Sequence, residues 1–299
     1  MKGLIVTADD FGAAREVNDA VETAHRDGIL TAASLMIGAP AAADAVERAR
    51  RMPTLRVGLH LVLVDGRPVL PPAAVARLVD EAGCLRSDLT RVGALLAGSR
   101  AARRQLAAEI TAQFTAYRDA GLTLDHCNAH RHFHLHPLVA RLLCEIGAHF
   151  GLRAVRVPLE PASVLERVEP RSRSLSGLLL KPWALALRAR LRARGLLAPD
   201  RVFGVRWSGQ MTRSRLHGLI RALPHGVSEI YLHPASGPFA GAAPGYRYGE
   251  ELAALTAPEV LDACRDPALR LGGFVDFLPQ PAAGELISAH AGRARRGAM

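Results

Sequence analysis

The chain opens on a short β-branched apolar run, residues 4–8, which predicts a buried strand. The run breaks off at Asp9-Asp10-Phe11-Gly12. Val17, Val21 and Ala24 then recur at spacings of four and three, a helical face, and Gly28 stops it where helices commonly end. Residues 31–37 predict a second strand, 41–51 a helix closed by Pro53, and 56–61 a third strand. This alternation, at about 25–30 residues per unit, is the pattern of parallel βαβ units.

Residues 65–100 are less regular, with Gly66, Pro68, Pro71 and Pro72, and read as an insertion or long loop. Leu106, Ile110, Phe114 and Tyr117 mark one face of a helix over 103–120. Residues 122–127 predict a strand feeding a histidine-rich loop, 137–150 a helix, and 154–157 a strand stopped by Pro158. Residues 160–205, rich in Leu and Arg, leave the rhythm and predict a helical insertion. It returns with a helix at 213–222, a strand at 229–232, a helix at 258–264 and a strand at 271–274. Seven strand candidates result, in one α/β unit over residues 1–280. A basic tail, 281–299, has little apolar periodicity and is expected to fray.

Composition narrows the class. Hydrophobic residues make up 49% of the 299, enough for a large core and too many for a disordered chain. Aromatics are only 5%, so aliphatic side chains must build that core. No apolar run reaches the roughly 18 residues of a membrane span. The N-terminal segment lacks the apolar core and cleavage site of a signal peptide. Cys84, Cys127, Cys144 and Cys264 show no CxxC spacing, which excludes a zinc knuckle and fits reduced thiols in the cytoplasm. The net charge of +10 suits an anionic partner such as a membrane surface, although an Arg- and Ala-rich proteome gives the same balance. Nucleic acid is disfavoured, because the arginines are not interleaved with aromatic residues for base stacking.

The candidate chemistry sits at strand ends. Asp9 and Asp10 follow the first strand, His60 lies in the third, His130 follows the fourth, and His233 follows Tyr231-Leu232. In a parallel barrel these ends open on one face, where active sites form. Of Asp9 and Asp10, one can bind a divalent cation while the other takes a proton from water. Five of the twelve histidines fall between positions 126 and 136. In Asn128-Ala129-His130-Arg131-His132-Phe133-His134-Leu135-His136, an extended backbone would align the imidazoles at period two. A helix would pair His130 with His134 and His132 with His136. Either geometry supplies metal ligands or groups that orient them. His233, before Pro234, is a candidate general acid.

Four segments together resemble the YdjC-like carbohydrate deacetylases: Thr7-Ala8-Asp9-Asp10-Phe11-Gly12, Gly58-Leu59-His60-Leu61, Asn128 to His134, and Leu232-His233-Pro234-Ala235. The histidine run and Trp207-Ser208-Gly209-Gln210-Met211-Thr212 resemble the hopanoid-biosynthesis-associated branch. The resemblance implies a distorted (β/α) barrel of the polysaccharide-deacetylase type. It implies a metal held by Asp10, His60 and His130, with Asp9 as general base and His233 as general acid. His132, His134 and Asn128 would orient or replace ligands. Many relatives carry Asp-Ser where this chain has Asn128-Ala129, so an orienting carboxylate is an amide here, with Asp125 close by. The resemblance points to Mg²⁺, whereas the Asp/His donor set suits Zn²⁺. The implied reaction removes the acetyl group from an N-acetylglucosaminyl hopanoid lipid, with soluble chitooligosaccharides as the alternative substrate. A non-catalytic sugar- or lipid-binding barrel and a phosphoesterase are the competing classes; two-metal phosphoesterases need more carboxylates than this chain offers.

Over 175–197, Ala184, Leu187 and Leu191 fall on one helical stripe, flanked by Arg188 and Arg192 on one side and Arg190 and Arg194 on the other. With Trp183 this predicts an interfacial helix whose leucines enter the acyl boundary, making the protein peripheral on the inner face of a membrane. Ala186, Ala189 and Ala193 would then pack on the barrel. Assembly as a homodimer is compatible with the sequence.

Overall fold

The computed structural model describes residues 1–170 and 175–278, side chains of 175–180 aside; the expected tail, 281–299, lies outside the described residues. The first half alternates as its periodicity predicts. Strand β1 (Lys2–Phe11) leads into helix α1 (Arg15–Arg26), β2 (Ala32–Leu35) into α2 (Ala42–Arg51), and β3 (Arg56–Leu61) follows. Helices α3 (Leu89–Gly98) and α4 (Arg100–Asp119) precede β4 (Cys127–Ala129), and α5 (Pro137–His149) comes after it. Then come α6 (Ala162–Val168), α7 (Leu175–Arg192) and β5 (Arg201–Phe203). The chain continues through α8 (Arg213–Ala222), β6 (Gly226–Leu232), α9 (Tyr248–Leu255), α10 (Pro258–Ala263) and β7 (Leu269–Leu271).

Every strand pairing is parallel, in the order β4-β3-β2-β1-β6-β5, with β7 on the start of β1. Residues 153–159 bridge the two sheet edges. The Cys127 amide donates to the Ala154 carbonyl (3.0 Å), Val155 donates to Leu197 (2.9 Å), and Val202 of β5 donates to Leu159 (3.0 Å). The sheet thereby curls into the expected distorted barrel. Strands β1, β2 and β3 are buried on both faces, as parallel strands covered by helices must be.

Three elements depart from the periodicity. The irregular stretch 65–100 contains α3, started by Asp88, whose carboxylate accepts from the Thr90 and Arg91 amides (2.9 and 3.0 Å). β4 begins at Cys127, where the expected strand ended. Residues 160–205 are helical in α6 and α7, but they also supply β5.

The lipid-facing stripe is corrected outright. Ala184, Leu187 and Leu191 are 0–2% exposed and join the main core. Helix α7 packs against α5 and the histidine loop. Ala186, Ala189 and Ala193, expected to face the barrel, are exposed. The reason is size: burying a leucine gains about 1.5–3 kcal/mol, and alanine offers far less area. Arg190 further ties α7 down by donating to the Pro137 carbonyl (3.1 Å). Among the described residues no helix is long and apolar enough to cross a membrane.

Candidate metal and catalytic site

Strand β1 carries a register irregularity between Ala8 and Phe11, and Asp10 takes a left-handed backbone (φ 62°). Adjacent residues on a regular strand point to opposite faces. The irregularity removes that constraint, and Asp9 and Asp10 both line one cleft of about 730 Å³ at the strand ends. Asp is among the few residues that tolerate this conformation.

Asp10 faces two imidazoles. Its Oδ1 lies 3.3 Å from His60 Nε2 and 3.4 Å from His130 Nδ1, and the three ligand atoms fall within 4.8 Å of one another. Metal bonds of about 2.0–2.2 Å at tetrahedral or octahedral angles separate neighbouring donors by about 3.0–3.5 Å. Asp10 Oδ1 and His60 Nε2 are buried and make no hydrogen bond. Two lone-pair-bearing atoms left in this way fit a cation between them, and a carboxylate with two imidazoles is a common donor set for one. Burial opposes charge on Asp10, but His130 and His60 hold its carboxyl well below the usual range. Burial lowers the His130 imidazole, yet Asp10 beside it pushes it above the ordinary value.

Asn128 sits behind this group, fully buried. Its Oδ1 accepts from His60 Nδ1 (2.7 Å), which leaves Nε2 as the lone-pair nitrogen facing Asp10. Its Nδ2 donates to Asp9 Oδ1 (3.2 Å) and Ser34 Oγ (2.9 Å). An amide therefore does what a carboxylate cannot: it orients a ligand and donates to Asp9 at once.

The histidine loop is neither extended nor α-helical. Residues His130–Leu135 form a tight 3-10 turn in which Arg131 and His132 are left-handed (φ 53° and 54°). Among the described residues the ligand atoms grouped around Asp10 come from His60 and His130, not from His132 or His134, although His132 also lines the cleft. His132 Nε2 shares a hydrogen bond with the Tyr231 hydroxyl (3.0 Å), and His134 Nε2 donates to the Arg156 carbonyl (3.0 Å). Burial lowers both imidazoles, His134 to about 3, so both are neutral near pH 7. They brace the loop from which His130 projects.

Asp9 is held by Arg156, a fully buried guanidinium. Arg156 Nη1 and Nη2 both donate to the Asp9 carboxylate, and its Nε donates to Glu229 (2.9 Å). Burial opposes charge on Asp9, but the Arg156 guanidinium holds its carboxyl far below the ordinary range. The Arg156 guanidinium also lies over the Tyr231 ring, 4.4 Å from its centre. Sequence patterns gave no role to Arg156 or Glu229. Their one signal was a charged residue inside an apolar strand, in Ala154-Val155-Arg156-Val157 and in Glu229-Ile230-Tyr231-Leu232.

His233 lines the same cleft. Its amide donates to buried Glu251, which also accepts from the Met211 amide (2.8 Å). Its ring stands between Tyr231 and Tyr246, with centroids 5.7 and 5.1 Å away. Tyr246 packs face-on against Gly209 (φ 69°), where a Cβ would meet the ring at 2.1 Å, so only glycine serves there. Asp9, Asp10, His60, His130 and His233 thus share one cleft, and Asn128 backs it. Trp183 lies on the exposed surface of α7.

The chain matches the profile of the YdjC-like protein family over residues 3–266. It is 31% identical to a carbohydrate deacetylase of Geobacillus stearothermophilus, over 91% of this chain and 97% of that protein. It is 36% identical to a carbohydrate deacetylase of Brevibacillus brevis (strain 47 / JCM 6285 / NBRC 100599), over 52% of this chain and 59% of that protein. Among solved structures, a nominal cellobiose-phosphate cleavage protein from Enterococcus faecalis V583 superposes with a TM-score of 0.72 at 24% identity. That superposition covers 93% of this chain and 99% of the other and supports the fold. With a family match running through every strand except β7, the chain belongs to the YdjC-like protein family.

Proposed function

We propose that this protein is a metal-dependent carbohydrate N-deacetylase, and that its substrate is an N-acetylglucosaminyl lipid of the hopanoid type. The observation that carries the hydrolytic reading is the convergence of Asp10, His60 and His130 beside Asp9 and His233 in one cleft. The similarity to proteins described as carbohydrate deacetylases supports it. A divalent cation held by Asp10, His60 and His130 would acidify water and polarise the acetyl carbonyl. Asp9, kept ionised by Arg156, accepts the proton of the attacking water. His233 delivers a proton to the amine nitrogen, so the C–N bond breaks to give acetate and a free amino sugar.

The lipid reading rests on the rim. Residues 239–244, Phe-Ala-Gly-Ala-Ala-Pro, border the cleft and offer no side-chain hydrogen-bonding group. Met36, Ala39 and Pro40 also border it. On that side a second sugar ring would meet few polar partners and an apolar aglycone loses nothing, while Asp65, Arg67, Arg131 and Ser208 line other parts of the cleft. Peripheral contact with an anionic membrane would use exposed Trp183, Leu185 and Arg192 of α7.

Mass spectrometry of products, with an N-acetylglucosaminyl hopanoid and a chitooligosaccharide tested side by side, checks both parts. Loss of 42 Da from the lipid substrate is expected, with slower turnover of the oligosaccharide. Preference for the oligosaccharide would reject the lipid reading, and binding without acetate release would indicate a non-catalytic barrel.

A further inference from the structure

A line of buried polar groups runs behind His60 to the far end of the chain. The amides of Phe274 and Val275 donate to Asp125 (3.1 and 3.0 Å), and His126 Nδ1 donates to Asp125 Oδ2 (2.8 Å). His126 Nε2 meets Ser34 Oγ at 3.0 Å, and Ser34 Oγ meets Asn128 Nδ2 at 2.9 Å. Asn128 Oδ1 then meets His60 Nδ1 at 2.7 Å. Ser34, His126 and Asn128 are wholly buried, and Asp125 is 2% exposed.

Donor and acceptor counting fixes the direction of each bond. Asp125 accepts from two amides and the His126 ring, so His126 carries a proton on Nδ1. Asp9 likewise only accepts, so the Asn128 NH₂ donates to it and to Ser34, and His126 Nε2 is the acceptor left for the buried Ser34 hydroxyl. The single Ser34 proton must therefore point at His126, and the Ser34 oxygen receives the Asn128 amide proton. The Asn128 NH₂ is thereby turned toward Ser34 and Asp9, and its carbonyl toward His60. A carbonyl only accepts, so His60 carries its proton on Nδ1. We propose that Asp125, His126 and Ser34 are positioning residues, acting through Asn128, that hold His60 in the tautomer whose Nε2 lone pair faces the cation. The geometry of Gly58 supports a shaped seat for the relay: a Cβ there would meet the His126 ring at 2.5 Å. The Phe274 ring stacks on His126 from another side, 4.1 Å between centroids.

This inference rests on the metal reading of Asp10, His60 and His130, but its test does not need turnover. Long-range ¹H–¹⁵N spectra of the histidine-labelled, metal-free wild type should show both His60 and His126 with the proton on Nδ1. A proton on Nε2 of either ring overturns the proposal without any variant. His126→Phe keeps the ring stack but removes the polarity, whereas His126→Gln retains a donor for Asp125 and an acceptor for Ser34. Ser34→Ala and His126→Phe should shift His60 toward a mixture of tautomers and weaken Co²⁺ binding about 10-fold or more. His126→Gln should restore binding to within about threefold, which a merely structural loss would not do. An unchanged His60 tautomer with unchanged Co²⁺ affinity in both disruptive variants would refute the relay. Failure of wild type to bind Co²⁺ would instead reject the metal site, leaving the tautomers as a separate result.

Discussion

Arg156 is a complete charge with no access to solvent, and it lies between two buried carboxylates, Asp9 and Glu229. Taking such charges out of water costs several kcal/mol per ion, and their pairing offsets it only while all partners are present. Arg156→Met should therefore destabilise the protein by about 3–5 kcal/mol in urea unfolding, because two carboxylates are left facing each other. Arg156→Lys should not rescue it, since an ammonium cannot reproduce the fork that spans both partners. A loss under about 1 kcal/mol would show that solvent reaches the site. His233→Ala should retain the metal and lose about 10²–10⁴-fold in turnover, measured by acetate release at saturating metal. The candidate ligands were legible as residues because each ends or follows an apolar run. The Arg156 pairing was not, because it joins β6 to residues 153–159, and single-sequence periodicity carries no pairing information.

At the level of elements, the histidine loop has a pH signature. His134 is buried with its imidazole lowered to about 3, and His132 is lowered as well, so the native state excludes protons that the unfolded chain takes up below about pH 6.5. Stability should fall on acidification from pH 6.5 toward 3, by about 1.4 kcal/mol per pH unit for each group that titrates only when unfolded. His130, raised beside Asp10, works in the opposite sense. His134→Gln should flatten the slope relative to wild type in chemical denaturation at stepped pH; an unchanged slope would mean His134 is protonated in the native state. Helix α7 separates the two readings of its leucines. Leu191→Ala should cost about 2–5 kcal/mol as a core truncation, whereas Arg192→Gln should stay within about 0.5 kcal/mol. Flotation with anionic liposomes at low and high salt then asks whether Trp183 and the exposed arginines touch a membrane; equal flotation of wild type and a Trp183→Ala, Arg192→Gln variant would end that idea. The stripe itself was legible and the side it faced was not, because amphipathicity gives a direction only once the neighbouring element is known.

For the whole molecule, the parallel βαβ rhythm was readable because covered parallel strands are near-continuous apolar runs. The three-residue strand β5 was not, and β4 was expected a few residues too early, since so short a run carries no period. The placement of the site follows from that architecture: parallel strands present all their C-terminal ends on one face, and β1, β3, β4 and β6 each deliver a residue there. What the architecture cannot encode is the packing behind the face, where Ser34 of β2 meets Asn128 and His126 links Ser34 to Asp125. The proposed deacetylation depends on one cation held by Asp10, His60 and His130. Acetate release should therefore be measured while metal-free enzyme is titrated with Zn²⁺ or Mg²⁺, for wild type and Asp10→Asn. Activity that rises to a plateau at one equivalent of tightly bound metal per chain, and is absent in Asp10→Asn at the same metal, is the predicted result; full activity without metal, or in the variant, would contradict it.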